Sequence, residues 1–510
     1  MDNESSETGN SFETEVHLLP DFPEQPQLDY GTIDRLHNLA PSVQPPTRIE
    51  KFGKVCTIAA MIPQGIFGGL LIVIFAQEVL EPISKRFYYP VAIFGGGLVA
   101  FGAAQGKIDI VWDFGQRHWK KLASKTVRQF LTDLSPHTWV WDESPNSKLP
   151  LLLNHLLGLI EWLFRVNTSC AFGMLARVAY SEEGASGLAK KIGVEPFMWL
   201  GEYLFPNPFW QAAFGIPAIV TNFLCFASIH RYGIHCILQM FNNLFNCDIN
   251  NLTTEQIKAR AVFDYFVSLI NNNEIENAKN LLQNITKISL NNNALNYYHE
   301  HQSECQRNEP RPKTHCEHLI TCLLGYSGVG LTILGLLNFL EMWNVINSTL
   351  PESLQLPELA IEIMNWMLFI SMALMGATVY PQVKSTAESA FFKRREPNIQ
   401  FCSNKQSWWN YFKAQVICVV GSTPNVFQAL LAGLKLPSAI AAFFASWCLE
   451  IRAVLGRYEE HEKRKALKSD TTGKHRLGYA GHCFLEAVKR NNPEEVERIA
   501  GEIQAAFNPS

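Results

Sequence analysis

The sequence predicts an all-α, polytopic membrane protein of about eight transmembrane helices, arranged as two four-helix pseudo-repeats, each followed by a soluble helical segment. Three observations carry that prediction. Charged residues make up only 18% of the 510 residues and the mean hydropathy is -0.01, high for a chain so rich in Asn. Six stretches of spanning length contain no Asp, Glu, Lys or Arg. The second half of the chain also echoes the first.

The charge-free stretches are Val55–Gln77, Tyr88–Gly106, Tyr203–Ile229, Leu319–Leu340, Ile363–Val383 and Ala414–Leu434. Each meets the length and polarity expected of a bilayer helix. Two further spans carry charges: Leu149–Ala176 holds Glu161 and Arg165, and Leu436–Leu455 holds Glu450 and Arg452, which are expected to snorkel to the interface. In chain order these become spans one to eight.

Lys and Arg cluster before span one, between spans two and three, after span four, between spans six and seven and after span eight. The loop Asn347–Glu358 between spans five and six has none. That asymmetry predicts both termini in the cytosol. Lys85, Arg86, Lys190 and Lys191 run against it. The expected divisions are a disordered arm over 1–47, a first repeat over 48–245, a cytosolic helical segment over 246–313, a second repeat over 314–457 and a helical tail over 458–510. The arm is acidic and rich in Ser and Pro, and lacks the basic start and apolar stretch of a signal peptide.

The repeat aligns Gly69-Leu70-Leu71 with Gly335-Leu336-Leu337, Phe101-Gly102-Ala103 with Met375-Gly376-Ala377, Asn154 with Asn410, and Ala212-Ala213-Phe214 with Ala441-Ala442-Phe443. In the soluble segments Phe263, Val267, Asn271, Glu274 and Glu276 match Phe484, Val488, Asn492, Glu495 and Glu497. An even number of spans per copy gives parallel repeats facing each other across a central interface. The spacing of Val262, Phe266, Leu269, Ile270, Leu281, Leu282 and Ile285 predicts a helical hairpin whose turn lies in the Asn-rich stretch.

Glu161 and Arg165, at i and i+4, share a helix face within span three, and Asn167, Thr168 and Ser169 continue the polarity. The equivalent depth of span seven carries Ser422, Thr423 and Asn425 around Pro424. Polar, interrupted segments at matching positions predict a midplane site between spans three and seven, lined by Glu161, Arg165, Asn167, Thr168, Ser422, Thr423 and Asn425. A structural ion pair between helices is the competing reading. Asp109, Asp113 and His118, after span two, read as a solvated helix end.

Before span five, His299, His301, Cys305, His315, Cys316 and His318 supply imidazole and thiol groups suited to zinc or iron(II), with a divalent metal as the expected solute. Their spacing matches no zinc-finger or metalloprotease pattern. Nucleotide-binding loops, nucleophile elbows and other enzyme signatures are missing, so catalysis is not expected. The twelve Cys follow no disulfide framework, and a net charge of -4 gives no reason to expect a nucleic-acid partner.

The Asn-rich helices around Asn271–Asn293, the glutamates Glu494, Glu495, Glu497 and Glu502, and the small-residue end at Ala505, Ala506, Asn508 and Ser510 give the chain a further character. In these it resembles multi-pass effector proteins that intracellular bacteria deliver into host membranes by type IVB secretion. That resemblance implies a weakly structured acidic C-terminal translocation signal, residence in a host vacuole membrane and, for some members, metal acquisition.

The functional expectation is therefore a solute transporter, with the bilayer and a small solute or metal ion as partners. An effector that anchors its cytosolic helices to recruit host proteins is the alternative.

Overall fold

The computed structural model describes residues 46–124, 128–129, 151–179, 207–245, 254–287, 293–308, 314–392, 404–431, 436–489 and 493–507, with Leu36, Ser181 and Gly187. Of the arm expected to be disordered, only Leu36, Pro46 and Thr47 fall among them. The described residues form helices and no strand.

In chain order the helices are α1 (Arg48–Leu80), α2 (Lys85–Ser124), α3 (Leu151–Ala179), α4 (Pro208–Phe245), α5 (Thr254–Asn271), α6 (Ile275–Lys287), α7 (Asn293–Glu300), α8 (His315–Gly335), α9 (Glu358–Ala377), α10 (Val379–Phe392), α11 (Asn404–Leu431), α12 (Leu436–Lys468), α13 (Lys474–Lys489) and α14 (Pro493–Phe507). Local sequence sets several boundaries. Thr47 and Glu50 form a capping box at the start of α1, and Thr314 and Glu317 another at the start of α8. A π-turn over Val91–Gly95 interrupts α2 where Pro90 removes a donor from the ladder. After α8 a 3-10 segment, Leu337–Glu341, leads into the short helix Met342–Ser348. There the buried Asn365 of α9 accepts from Trp343 N at 2.8 Å and closes the loop.

The chain divides into two compact units. The larger, Ser42–Ile257 with Pro310–Lys468, holds all the long helices. Six helical stretches, Arg48–Leu80, Lys85–Ser124, Pro208–Leu244, His315–Ser348, Glu358–Glu388 and Leu436–Lys468, are long and apolar enough to cross a membrane. The helices found for spans three and seven, α3 and α11, have spanning length at 29 and 28 residues but hold no stretch as apolar as those six. Polarity is inverted relative to a water-soluble domain: Phe94 is 77% exposed and Ile93 66%, while Glu161, Arg165, His230 and Glu450 are buried. An apolar exterior around ionisable groups is what a bilayer demands of an embedded bundle.

Within this unit α1 packs on α2, α3 on α4, and α4 on both α1 and α2. In the second half α8 packs on α10, α11 on α12, and α12 on both α8 and α10. The halves interlock reciprocally: α2 packs on α11 and α12, and α9 on α3 and α4. Glycines permit the closest approaches. A Cβ at Gly65 would lie 2.8 Å from Ala100 O, and one at Gly233 2.3 Å from Leu374 O.

The smaller unit joins Lys258–Glu309 to Ser469–Ser510. The Asn-rich hairpin is present as α5 and α6, turning at Asn273 with φ 64°. Asn tolerates this left-handed conformation better than most residues. Phe266, Ile270, Leu281, Leu282 and Ile503 are among its buried side chains, and Gln504 Nε2 of α14 donates to Gln283 O of α6 at 3.0 Å. The acidic C-terminal segment implied to be weakly structured is thus helical through Phe507, with Ile503, Ala506 and Phe507 buried; residues 508–510 lie outside the described set. Helix α12 runs through the boundary expected at residue 457.

Candidate functional site

Among the described residues of the larger unit, a pair of buried polar clusters and a cavity stand out. The first cluster joins α3, α4 and α9. Glu161 Oε1 faces His230 Nδ1 at 3.0 Å, and His230 Nε2 faces Ser371 Oγ at 2.5 Å. With the carboxylate accepting the Nδ1 proton, Nε2 is left to accept from the hydroxyl. Arg165 Nη1 is 3.9 Å from the same carboxylate oxygen, and its guanidinium lies 3.9 Å over the Phe223 ring. Asn167 Nδ2 ties α3 to α9 by donating to Met364 O at 2.9 Å, Ser169 returns its hydroxyl to Arg165 O, and Thr168 is buried.

The second cluster joins α2, α11 and α12. Lys107 Nζ is 2.9 Å from Glu450 Oε1 and donates to Ser446 Oγ at 2.9 Å; Ser446 in turn donates to the same carboxylate oxygen at 2.8 Å. Glu450 is 0% exposed while the Lys107 side chain retains 24%. Glycines make room for the carboxylate: a Cβ at Gly106 would come 2.5 Å from Glu450 Oε2, and one at Gly421 2.8 Å. The Ser422 hydroxyl lies beside it. Two expectations need correction here. Glu450 does not snorkel, because its helix continues to Lys468 and carries it into the packed interior; Arg452 reaches Tyr232 OH at 3.1 Å instead. Asp109 is not a solvated helix-end carboxylate either. It is buried, accepts from Gln105 at 3.1 Å and pairs with Arg457, while the buried His118 meets Ser228 Oγ at 3.1 Å.

A cavity of about 600 Å³ lies between the halves, and each of α1, α2, α3, α4, α8, α9, α11 and α12 contributes to its wall. The lining is mostly apolar, with Phe172, Phe226, Phe339 and Met372 prominent. Its polar members are Gln64, Lys107, Asn222, Glu341, Asn425 and Ser446.

Of the residues expected to share one site, only Asn425 lines this cavity. Glu161, Arg165, Asn167 and Thr168 belong to the first cluster, Ser422 to the second, and Thr423 turns its hydroxyl back onto Val419 O. The sequence places α3 and α11 at equivalent depth, but each packs chiefly on its own hairpin partner and on a helix of the opposite half, α9 or α2. Sequence reasoning missed Lys107, His230 and Ser371. Lys107 had a readable signal, a cation one residue beyond an apolar run; His230 and Ser371 look ordinary until helix packing brings them together.

The metal-ligand stretch is split between the units. His301 stacks on Tyr297 with ring centres 4.1 Å apart, His299 abuts Tyr298, and Cys305 is buried in the smaller unit, where burial pushes its thiol up to about 11. His315, Cys316 and His318 open α8 in the larger unit, and His318 Nε2 lies 3.6 Å from Cys322 Sγ. Among the described residues no group of three or more His, Cys, Asp or Glu side chains converges to hold a metal ion.

No protein-family model matches the sequence, and no curated protein or solved structure matches it.

Proposed function

We propose that the chain is a multi-pass solute transporter with eight membrane-crossing helices in two pseudo-equivalent halves, both termini cytosolic, and its solute path through the central cavity. The observation that carries the reading is the cavity itself, walled by all eight long helices and of a size that holds an organic solute. Parallel repeats facing each other around a membrane-embedded site are a transporter architecture. The helix pairings support the repeat: α1, α9–α10, α3 and α4 exchanged for α8, α2, α11 and α12 reproduce one another's main contacts. Both polar clusters obey the same exchange, one on α3, α4 and α9, the other on α11, α12 and α2.

The test is uptake into liposomes holding the purified protein, using a radiolabelled panel of a neutral sugar, an organic anion and an organic cation. Ala445→Trp, which fills the cavity from α12, is the comparison. Saturable uptake of one solute by the wild type, lost in the variant, supports the reading. Uptake at the level of empty liposomes for every solute overturns it.

The second reading, an effector that anchors a partner-binding module in a host membrane, is favoured by one observation: the two soluble segments form a compact unit rather than two loose tails. Deleting that unit would then abolish function while Ala445→Trp would not.

A further inference from the structure

We infer that the cavity takes an organic anion with an apolar body, its charged group bound between Lys107 and Asn425; this rests on the transporter reading above. Both groups hold donors that the protein leaves unspent. An ammonium has three hydrogens to donate, and Glu450 Oε1 and Ser446 Oγ occupy two of those on Lys107. The pair is exposed unequally. The carboxylate is sealed behind Gly106 and Gly421, while Lys107 lines the cavity and Glu450 does not, so a solute approaches the cation's side of the pair. Asn425 also lines the cavity, and its Nδ2 has no hydrogen-bond partner among the described residues. A buried donor left without an acceptor costs about 1–3 kcal/mol, and a carboxylate or sulfonate supplies acceptors to both groups.

The remaining lining fits the rest of such a molecule. Phe172, Phe226, Phe339, Met342 and Met372 offer apolar and polarisable surface for a ring or chain. The other charged lining residue, Glu341, is exposed and follows α8 on the 3-10 segment. Its repulsion keeps an anionic group to the Lys107 wall. A bare divalent cation finds the opposite of what it needs, a cation at the wall and apolar side chains around it.

The experiment uses the full-length protein in liposomes with labelled p-aminohippurate, a poorly permeant aromatic carboxylate, beside tetraethylammonium and a neutral sugar. The proposal expects saturable p-aminohippurate uptake at least tenfold above that of the cation. It expects at least a tenfold loss in the double variant Lys107→Gln/Glu450→Gln, whose neutral amides keep the fold from stranding a buried charge. Lys107→Arg is expected to retain uptake, and Asn425→Ala to raise KM. Uptake of the cation or sugar without the anion overturns the substrate class and leaves the transporter standing. Anion uptake unchanged by the double variant overturns the role of Lys107. Uptake of nothing in the panel overturns both this inference and the transporter reading.

Discussion

Lys107 of α2 and Glu450 of α12 meet at 2.9 Å across the boundary between the two halves of the bundle. In hydrocarbon neither charge is tolerable alone, and together they bind a helix of the first half to one of the second. Removing Lys107 strands the sealed carboxylate and should cost about 3–5 kcal/mol, whereas Glu450→Ala leaves a cation still open to the cavity and should cost less. The double variant Lys107→Met/Glu450→Gln should lose less than Lys107→Ala. Thermal unfolding in detergent measures this; additive losses would show that the pair is not coupled.

The carboxylate fits because Gly106 has no side chain. Gly106→Ala drives a Cβ into Glu450 Oε2, whereas Gly97→Ala, one helix stretch earlier, meets nothing within 4 Å. The expected cost of the first is about 1–3 kcal/mol, as for other overpacked interiors, and the second should be neutral. Equal melting temperatures for the two variants would refute the cradle.

Ser371, His230 and Glu161 stand in the order of a hydrolase triad, but all three are buried and none lines the cavity. Their contacts tie α3, α4 and α9 together, a helix-packing role. A fluorophosphonate probe should leave the protein unlabelled, Ser371→Ala should alter uptake less than twofold, and His230→Ala should cost about 1–3 kcal/mol by leaving Glu161 short of a donor. Labelling that disappears in Ser371→Ala would instead identify a nucleophile.

In the smaller unit, burial outweighs the neighbouring Asp470 carboxylate and holds His475 below its ordinary imidazole value. Below pH 6.5 the unfolded chain therefore takes up a proton that the folded unit resists, and stability falls as pH drops from 7 to 5. One such proton sets a limiting slope of about 1.4 kcal/mol per pH unit. Protection factors against hydrogen exchange in α13, corrected for the intrinsic pH dependence of exchange, should fall over that range, and His475→Gln should flatten the response. A wild-type profile already flat would rule the group out.

Much of this architecture is legible in the chain. Charge-free runs such as Val55–Gln77 declare their helices because a bilayer leaves no alternative use for them. The Asn-rich hairpin follows from the spacing of Phe266, Ile270, Leu281 and Leu282. Glu161 and Arg165 are correctly legible as a buried pair on one helix. Their environment is not, because it depends on which helix is the neighbour. His230 and Ser371 come from 69 and 210 residues further along. Glu450 misleads for a related reason: one carboxylate near the end of an apolar run reads as interfacial until Lys107, 343 residues away, is placed against it. Lining a cavity is likewise a property of packing, and of the polar residues singled out on span three none reaches it.

The central claim is a solute-accessible cavity between the halves, and thiol accessibility tests it most directly. A cysteine is placed at Ala445 in a background free of other cysteines, with a second at the lipid-facing Phe94 for comparison. Permeabilised vesicles are then treated with a small anionic methanethiosulfonate and with its cationic counterpart. The account predicts that Ala445→Cys reacts, faster with the anionic reagent, and that p-aminohippurate protects it, while Phe94→Cys stays unreactive. No reaction at Ala445→Cys from either side of the membrane would contradict it.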